Sequence, residues 1–238
     1  MIQAALNGGR TIAEHPAVPV TPERLAEEAR GAVDAGAKCL HIHVRDASGR
    51  ESVAPEDVAE TLAAVRIACP GIPVGVSTGA WILRDAAKRM EAVSSWVVLP
   101  DYVSINLREE GALELADRVM QMKIGIEAGV WEAADVEILI SSGLAPLSLR
   151  ILMEPADKEF AAAAANVERM IVMLDGERIK TPRMLHGLNA TAWPMLRFAI
   201  EKGYHSRIGF EDVLTLPDGS PATSNAALVA AAIGLSQV

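Results

Sequence analysis

The segment HIHVRD, residues 41–46 of the 238-residue chain, places His41 and His43 two positions apart. Residues i and i+2 of a β-strand project to the same face, so both imidazoles could point into a protein interior and share one metal ion. The same pair can also be two separate buried histidines, each with its own hydrogen-bond partner. His186 lies in another strand-like run, and three of five histidines in strands favour a functional site.

A second polar segment, RIGFED, ends the last strand-like run of the chain and carries Arg207, Glu211 and Asp212. Glu211 could complete a two-histidine, one-carboxylate metal site that leaves positions open for a substrate. Asp212 would then be a candidate base, and Arg207 could orient it or hold an anion. The two carboxylates could instead be a solvated loop pair. A carboxylate that faces two histidines, however, needs a cation or a shared proton.

Other strand ends carry hydroxyl, amide and carboxyl groups that could hold the carboxylate of a ligand. These residues are Ser77, Thr78, Gly79, Ser104, Asn106, Glu127 and Asn189. The Ser-Thr-Gly segment precedes a predicted helix and would suit an anion bound by backbone N–H groups, although each residue could simply be a helix cap or turn residue. Neither GxGxxG nor GxxxxGK[ST] occurs, so the usual motifs for dinucleotide or P-loop binding are missing.

Apolar runs of strand length alternate with segments of helical period along the whole chain. The predicted strands are 2–7, 39–44, 73–77, 102–107, 123–128, 148–153, 184–188 and 206–210. The predicted helices are 22–36, 55–67, 81–92, 111–122, 132–142, 159–174, 192–202 and 224–235. Eight such repeats predict an α/β fold, a (β/α)₈ TIM barrel that forms a single domain over residues 1–238. An open doubly wound sheet is the alternative.

The composition excludes several classes of partner. The formal charge is −9 and Lys/Arg residues do not cluster, which argues against nucleic acid and anionic membranes as partners. The N-terminus does not resemble a signal peptide and no apolar run reaches bilayer length, so we expect a cytoplasmic protein. Cys39 and Cys69 have no metal-type spacing and are expected to be buried thiols. We also expect a homo-oligomer.

Several segments together resemble the β-keto acid cleavage enzyme family, whose namesake is 3-keto-5-aminohexanoate cleavage enzyme. They are TPERLAEEARGAVDAGAKCLHIHVRD, VSTG, SIN, RIGFED and SNAALV, and they follow the family's order from about residue 2 to residue 235. The resemblance implies a TIM barrel that binds Zn²⁺ through His41, His43 and Glu211. It also implies an exchange in which a β-keto acid and acetyl-CoA give acetoacetate and a new acyl-CoA by retro-Claisen cleavage.

The resemblance also suggests roles for further residues. Asp212, steadied by Arg207, would be the base, and Glu127 matches a family glutamate at the end of the fifth strand. Ser77 corresponds to a residue that binds substrate, and Ser104 stands where the namesake has a threonine. Two imidazoles and a carboxylate would also suit Mn, Co or Fe.

Two departures from the family bear on the substrate and on acetyl-CoA. Arg10 stands where the namesake has a glutamate suited to an amino group, so we expect an acidic or neutral β-keto acid instead. The loop after Met153 has the sequence EPADK in place of a glycine-rich turn, and Glu154 and Asp157 would repel CoA phosphates. The alternatives are a CoA-independent metal-dependent aldolase, decarboxylase or hydrolase, and an inactive barrel that binds a metal and a carboxylate.

Overall fold

Residues 1–236, which the computed structural model describes, contain eight parallel strands and eight α-helices in strict alternation. The strands are β1 Ile2–Ala5, β2 Cys39–Ile42, β3 Val74–Ser77, β4 Tyr102–Asn106, β5 Gly125–Val130, β6 Arg150–Met153, β7 Arg183–Leu185 and β8 His205–Ile208. The helices are α1 Pro22–Asp34, α2 Pro55–Ala68, α3 Ala86–Ser94, α4 Ala112–Gln121, α5 Ala133–Ser141, α6 Phe160–Gly176, α7 Ala192–Glu201 and α8 Asn225–Leu235. Short 3₁₀ turns lie at Ala145–Leu147 and Asn189–Thr191.

The strands form a closed barrel, because each pairs with the next and β8 pairs with β1. The predicted TIM barrel is therefore confirmed, and the open-sheet alternative is wrong. Most strand residues are buried, since one face of each strand packs inside the barrel and the other against the helices. Among the described residues, no helix is long and apolar enough to span a membrane.

The ring of helices follows the capping and apolar periodicity of the sequence. Pro22 occupies the first turn of α1 and the Thr21 hydroxyl accepts a hydrogen bond from the backbone N–H of Arg24 over 3.4 Å. Leu25 and Ala29 are fully buried on the inner face of this helix. Each fully buried leucine of this kind contributes about 1.5–3 kcal/mol of hydrophobic stabilisation. The helices are thereby held against the strands.

Several predicted boundaries are wrong. Helix α3 begins at Ala86 and not at Trp81, because Asp85 provides the N-cap by accepting from the N–H of Lys88 over 3.0 Å. Strand β5 runs from Gly125 to Val130 and not from residue 123, since Lys123 has a left-handed φ of 62° that ends the α4 turn. The remaining strands begin and end within three residues of the predicted positions, and β3 and β6 end at the predicted residue.

The amino-terminal half of the barrel interior is polar. Gln3 donates to Oε1 of Glu127 over 2.7 Å and to the hydroxyl of Tyr102 over 3.0 Å. Arg150 lies 2.8 Å from the same Glu127 oxygen and stacks over the Tyr102 ring. Gly75 faces that ring, and a Cβ at this position would overlap it. These contacts form a rigid floor beneath the carboxyl ends of the strands, where the site described below lies.

Candidate functional site

Three potential metal ligands meet at the carboxyl ends of β2 and β8. His41 lies in β2, His43 follows that strand directly, and Glu211 lies three residues after β8. Nε2 of His41 is 3.7 Å from Oε2 of Glu211, and Nε2 of His43 is 3.4 Å from Oε1. The three ligand atoms all lie within 4.8 Å of one another, a spacing that one metal ion could bridge.

Each histidine also has a carboxylate behind it. Nδ1 of His43 is 2.5 Å from Oε1 of Glu51, which also accepts a hydrogen bond from the Trp81 indole over 3.0 Å. Nδ1 of His41 lies 4.0 Å from Oε2 of Glu127. A carboxylate at Nδ1 favours the tautomer with the proton on that nitrogen, which leaves the lone pair on Nε2 for a metal. Both Nε2 atoms face Glu211.

The charges of the three ligands are strongly coupled. Burial disfavours the charged form of His43, but the Glu211 and Glu51 carboxylates outweigh it and raise the pKa of His43 to about 9. Burial lowers the pKa of His41 well below its usual value, more than the Glu211 carboxylate can offset. Burial would raise the pKa of Glu211, yet the neighbouring Arg207, His43 and His41 hold this pKa well below its ordinary range. Glu211 is therefore a carboxylate.

The donor set fits a divalent cation. Oε2 of Glu211 is buried and has no hydrogen-bond partner among the described residues. Leaving a buried carboxylate oxygen unpaired costs free energy unless a cation or a donor satisfies it. Two imidazole nitrogens and one carboxylate are a ligand set for catalytic zinc and also suit other divalent transition metals.

Gly8 allows Glu211 to approach the two histidines. Its φ is +53°, a left-handed conformation that glycine adopts without steric cost. A Cβ on residue 8 would lie 2.9 Å from Cβ and 3.0 Å from Cδ of Glu211, and closer still to Cγ. The loop after β1 therefore forms one wall of the Glu211 position, and only a residue without a side chain fits there.

Arg207 and Asp212 lie beside the three ligands. Nη2 of Arg207 donates to Oδ1 of Asp212 over 2.9 Å and to Oε1 of Glu211 over 2.7 Å. Burial opposes the charge on Arg207, but the two carboxylates outweigh it and raise its pKa. Oδ2 of Asp212 is buried without a hydrogen-bond partner among the described residues. Of the two carboxylate oxygens of Asp212, Oδ2 is therefore the one available to accept a proton.

Glu127 lies below His41 in the polar floor of the barrel. It is fully buried and bound by Gln3 and Arg150. Burial raises the pKa of Glu127, although the Arg150 guanidinium works in the opposite direction. Its second oxygen, Oε2, is the one that faces Nδ1 of His41. Its position below His41 suits a role in orienting that ring better than a direct contact with a substrate.

The Ser77–Gly79 segment does not precede a helix, and the expectation of a helix N-terminal anion site there is wrong. The segment leads into a turn, and the backbone N–H of Ala80 already donates to Oε2 of Glu109 over 2.8 Å. The Thr78 hydroxyl donates to the carbonyl of Ser104 over 2.7 Å. That bond fixes β3 to β4 at this level.

Ser77 and Ser104 occupy the same level of the barrel, because they are partners in the β3–β4 register and Ser104 pairs in turn with Glu127. Ser77 is buried and Ser104 is half-buried. Nδ2 of Asn106 donates to Oε1 of Glu109 over 2.9 Å. The hydroxyls of the two serines thus lie near the level of the three potential metal ligands. The Asn106 amide, in contrast, is already hydrogen-bonded to Glu109.

Arg10 lies at the rim of the barrel mouth. Its guanidinium donates to Oε1 of Glu14 over 3.0 Å and also to Oδ1 of Asn189, which belongs to the loop after β7. The side chain retains 20% of its exposure. The positive charge of Arg10 is therefore paired with the carboxylate of Glu14, and part of the guanidinium is open to solvent.

Several residues of the site do not stand out in the sequence. Glu51 reaches His43 only because the loop after β2 folds back in an antiparallel bridge between Arg45 and Glu51. Asn7 fixes the end of β2 by accepting from the backbone N–H of His43 and donating to its carbonyl. No local sequence motif predicts the contact between Glu51 and His43. The sequence shows only a carboxylate eight residues after His43.

Comparisons with known proteins place this geometry in context. A family model described as beta-keto acid cleavage enzyme matches residues 1–237. The chain is 26% identical over 255 residues to 3-keto-5-aminohexanoate cleavage enzyme of Acetoanaerobium sticklandii, covering 100% of this chain and 91% of that protein. It is 28% identical over 240 residues to 3-oxoadipate:acetyl-CoA acetyltransferase of Cupriavidus necator, covering 91% and 80%.

A solved structure of similar fold is the binary complex of ObcA with oxaloacetate. The TM-score is 0.68 at 16% identity, and the match covers 94% of this chain and 66% of that chain. At this identity the likeness concerns the fold alone. It agrees with the closed eight-stranded barrel described above.

Proposed function

The chain belongs to the β-keto acid cleavage enzyme family, and from that premise we propose that it transfers the acyl group at C3 of a β-keto acid to CoA, using acetyl-CoA and a bound divalent metal. The products would be acetoacetate and a new acyl-CoA. The observation that carries this proposal is one cluster, in which the ligand triad His41, His43 and Glu211 adjoins a buried Asp212 whose Oδ2 is free.

His41, His43 and Glu211 would hold zinc or another divalent transition metal. Such an ion, when bound, supplies Lewis-acid polarisation of a substrate carbonyl or carboxylate oxygen. Glu51 would keep the His43 ring in the metal-binding tautomer, and Glu127 would do the same for His41. The buried, unpartnered oxygen of Glu211 supports this assignment.

Asp212 would act as the base. Arg207 holds Oδ1, so Oδ2 is left to accept the C2 proton of the β-keto acid. The resulting carbanion attacks the acetyl thioester; a C–C bond forms and CoA leaves as a thiolate. The thiolate then adds to the original keto carbon and the C2–C3 bond breaks. The released electron pair stays on C2 of acetoacetate, which takes the proton back from Asp212.

Arg10 supports a β-keto acid with a second carboxylate as substrate. Its guanidinium is partly exposed at the rim, where it could pair with an anionic substrate tail. One relative is named for 3-oxoadipate, which is such a dicarboxylic β-keto acid. Glu14 shares the guanidinium, so we expect a preference for the dicarboxylate and not an absolute requirement.

The loop after β6 is compatible with acetyl-CoA. Glu154 accepts a hydrogen bond from the Trp131 indole and faces His186, and Asp157 accepts from the Asn166 amide. Both carboxylates are thus paired with groups of the protein, which weakens the repulsion of CoA phosphates that the sequence suggests. Support for the CoA-dependent reaction comes from the relative named 3-oxoadipate:acetyl-CoA acetyltransferase.

The test is turnover of a panel of β-keto acids by metal-loaded protein, with and without acetyl-CoA labelled with ¹³C in the acetyl group. We expect acetoacetate only with acetyl-CoA, with the label in C3 and C4 of acetoacetate and absent from the new acyl-CoA. Product without acetyl-CoA would favour a decarboxylase, aldolase or hydrolase. No turnover of any panel member would leave only the metal- and carboxylate-binding alternative.

A further inference from the structure

A row of four polar side chains crosses the barrel mouth beside the metal ligands. Trp131, Glu154, His186 and Asp212 follow the consecutive strands β5, β6, β7 and β8, so each strand contributes one member. The Trp131 indole donates to Oε1 of Glu154 over 2.8 Å, and Oε2 of Glu154 lies 3.2 Å from Nε2 of His186. Nδ1 of His186 lies 3.3 Å from Oδ1 of Asp212. We refer to these residues as the mouth row.

The backbone around the mouth row holds it in place. A Cβ on Gly129 would lie 2.8 Å from Oε1 of Glu154, so the glycine makes room for that carboxylate. The N–H of Glu154 donates to the carbonyl of Val130, and the N–H of His186 donates to that of Met153. His186 itself is only 1% exposed. The imidazole is therefore buried, with a carboxylate at each nitrogen.

Two carboxylates favour a protonated ring, because a neutral imidazole has only one N–H and could donate to only one of them. Burial and the Arg207 charge oppose protonation, but Asp212 and Glu154 outweigh them and raise the pKa of His186. The charged or titratable groups around the ring are Glu154 from β6, Asp212 and Arg207 from β8, and His41 from β2.

The effect of this arrangement falls on one oxygen of Asp212. Arg207 donates to Oδ1 of Asp212 from Nη2 over 2.9 Å and from Nε over 3.3 Å, but the same Nη2 also donates to Oε1 of Glu211. Nδ1 of His186 faces the same Oδ1 from the other side at 3.3 Å, an ion-pair distance without hydrogen-bond alignment, and has no other partner among the described residues. Both neighbours lie at Oδ1, and Oδ2 has no hydrogen-bond partner within residues 1–236.

We propose that His186 is a positioning residue: oriented by Glu154 and Trp131, it fixes Oδ1 of Asp212 so that Oδ2 receives the substrate proton. This inference rests on the proposed function, in which Asp212 is the base. Neither the ligand triad nor the Arg207–Asp212 pair requires the mouth row. Three of its four members, Trp131, Glu154 and His186, follow strands that supply none of the three metal ligands.

Two isosteric variants separate positioning from packing. In His186→Asn the amide nitrogen can stand where Nδ1 stands and can still donate to Asp212. In His186→Gln the amide nitrogen stands nearer the position of Nε2 and can donate only to Glu154. We expect kcat to fall about 10- to 100-fold in H186Q with KM within about threefold of the unmodified protein. H186N should recover most of that loss.

Exchange of the C2 hydrogens of the β-keto acid in D₂O, without acetyl-CoA, measures proton removal directly and should follow the same order. Metal content and thermal midpoint should be alike in the two variants. Equal losses in H186N and H186Q, or a loss that appears in KM and spares C2 exchange, would overturn the positioning role.

A second measurement does not depend on turnover. The ring ¹⁵N shifts of His186 should titrate at higher pH in the unmodified protein than in Glu154→Gln, because the variant removes one of the two carboxylates. An unchanged titration in E154Q would overturn the mouth row even in an active enzyme. If the unmodified protein turns over no β-keto acid while E154Q shifts the titration of His186, the proposed function fails and the contacts of the mouth row are supported.

Discussion

Replacing Gly8 by alanine should displace the carboxylate ligand from the proposed metal site although none of the three ligands is itself replaced. The new Cβ would lie 3.0 Å from Cδ of Glu211, whereas ordinary van der Waals contact begins at 3.4 Å. The carboxyl carbon must therefore move by at least about 0.4 Å, and the tighter contact to Cγ demands more. Metal–ligand distances tolerate changes of about 0.2 Å, so Glu211 would leave the ligand position.

The expected loss of zinc affinity in Gly8→Ala exceeds about 100-fold. Removing only a hydrogen-bond partner of a metal ligand already lowers metal affinity about 10- to 100-fold, and here the ligand itself is displaced. A factor of 100 corresponds to about 2.7 kcal/mol. Competition against a chromophoric zinc chelator at fixed pH measures this affinity. The unmodified protein and the variant should be compared at the same ionic strength.

Gly203→Ala is the matched control. Gly203 also has a left-handed φ, +71°, but apart from its chain neighbours no described residue has an atom within 4 Å of the position of its Cβ. Both variants carry about 1–2 kcal/mol of backbone strain, and only G8A displaces Glu211. We expect G203A to lose stability and to keep its zinc affinity. Zinc affinities of G8A and G203A within threefold of each other would show that Gly8 does not determine the position of Glu211.

Four further predictions concern single groups of the site. Glu51→Gln should lower zinc affinity about 10- to 100-fold because it weakens the acceptor at Nδ1 of His43; in isothermal titration, an affinity equal to that of the unmodified protein would contradict this role. Because His43 has a pKa of about 9 without metal, zinc must displace its proton, so apparent affinity should rise about tenfold per pH unit between pH 6 and 8. A plateau above pH 6.5, the behaviour of an ordinary histidine, would show that the carboxylates do not raise the pKa. Asp212→Asn should retain stoichiometric metal and lose about 10²- to 10⁴-fold in kcat, and full activity would exclude it as the base. Arg10→Gln should raise KM about tenfold for a dicarboxylic β-keto acid and leave that for a monocarboxylic one unchanged; equal effects on the two substrates would contradict the pairing.

The sequence predicts those parts of the molecule in which local spacing determines the outcome. The two-residue spacing of His41 and His43 determines that both rings share a face, and the alternation of strands and helices predicts the barrel. Helix α3 is different, because Trp81 continues an apparent helical pattern while Asp85 provides the cap that starts the helix. Both the apolar pattern from Trp81 and the cap at Asp85 could mark the start of the helix, and the pattern alone does not show which one does.

Contacts between strands depend on the register of the closed barrel. His186 and Glu154 are 32 residues apart and meet only because β6 and β7 are neighbours with a defined stagger. Glu51 reaches His43 through a loop whose path is set by the bridge at Arg45. The negative loop after β6 likewise looks repulsive in the sequence until the partners of Glu154 are known. Such pairings require the three-dimensional arrangement.

We propose that the protein moves the acetyl group of acetyl-CoA onto a carbanion formed from a β-keto acid. The most direct measurement mixes metal-loaded protein with 3-oxoadipate and acetyl-CoA labelled with ¹³C in the acetyl group, and follows the products by NMR. We expect acetoacetate labelled at C3 and C4 together with an unlabelled new acyl-CoA. Label in the new acyl-CoA, or cleavage of the keto acid at the same rate without acetyl-CoA, would contradict it.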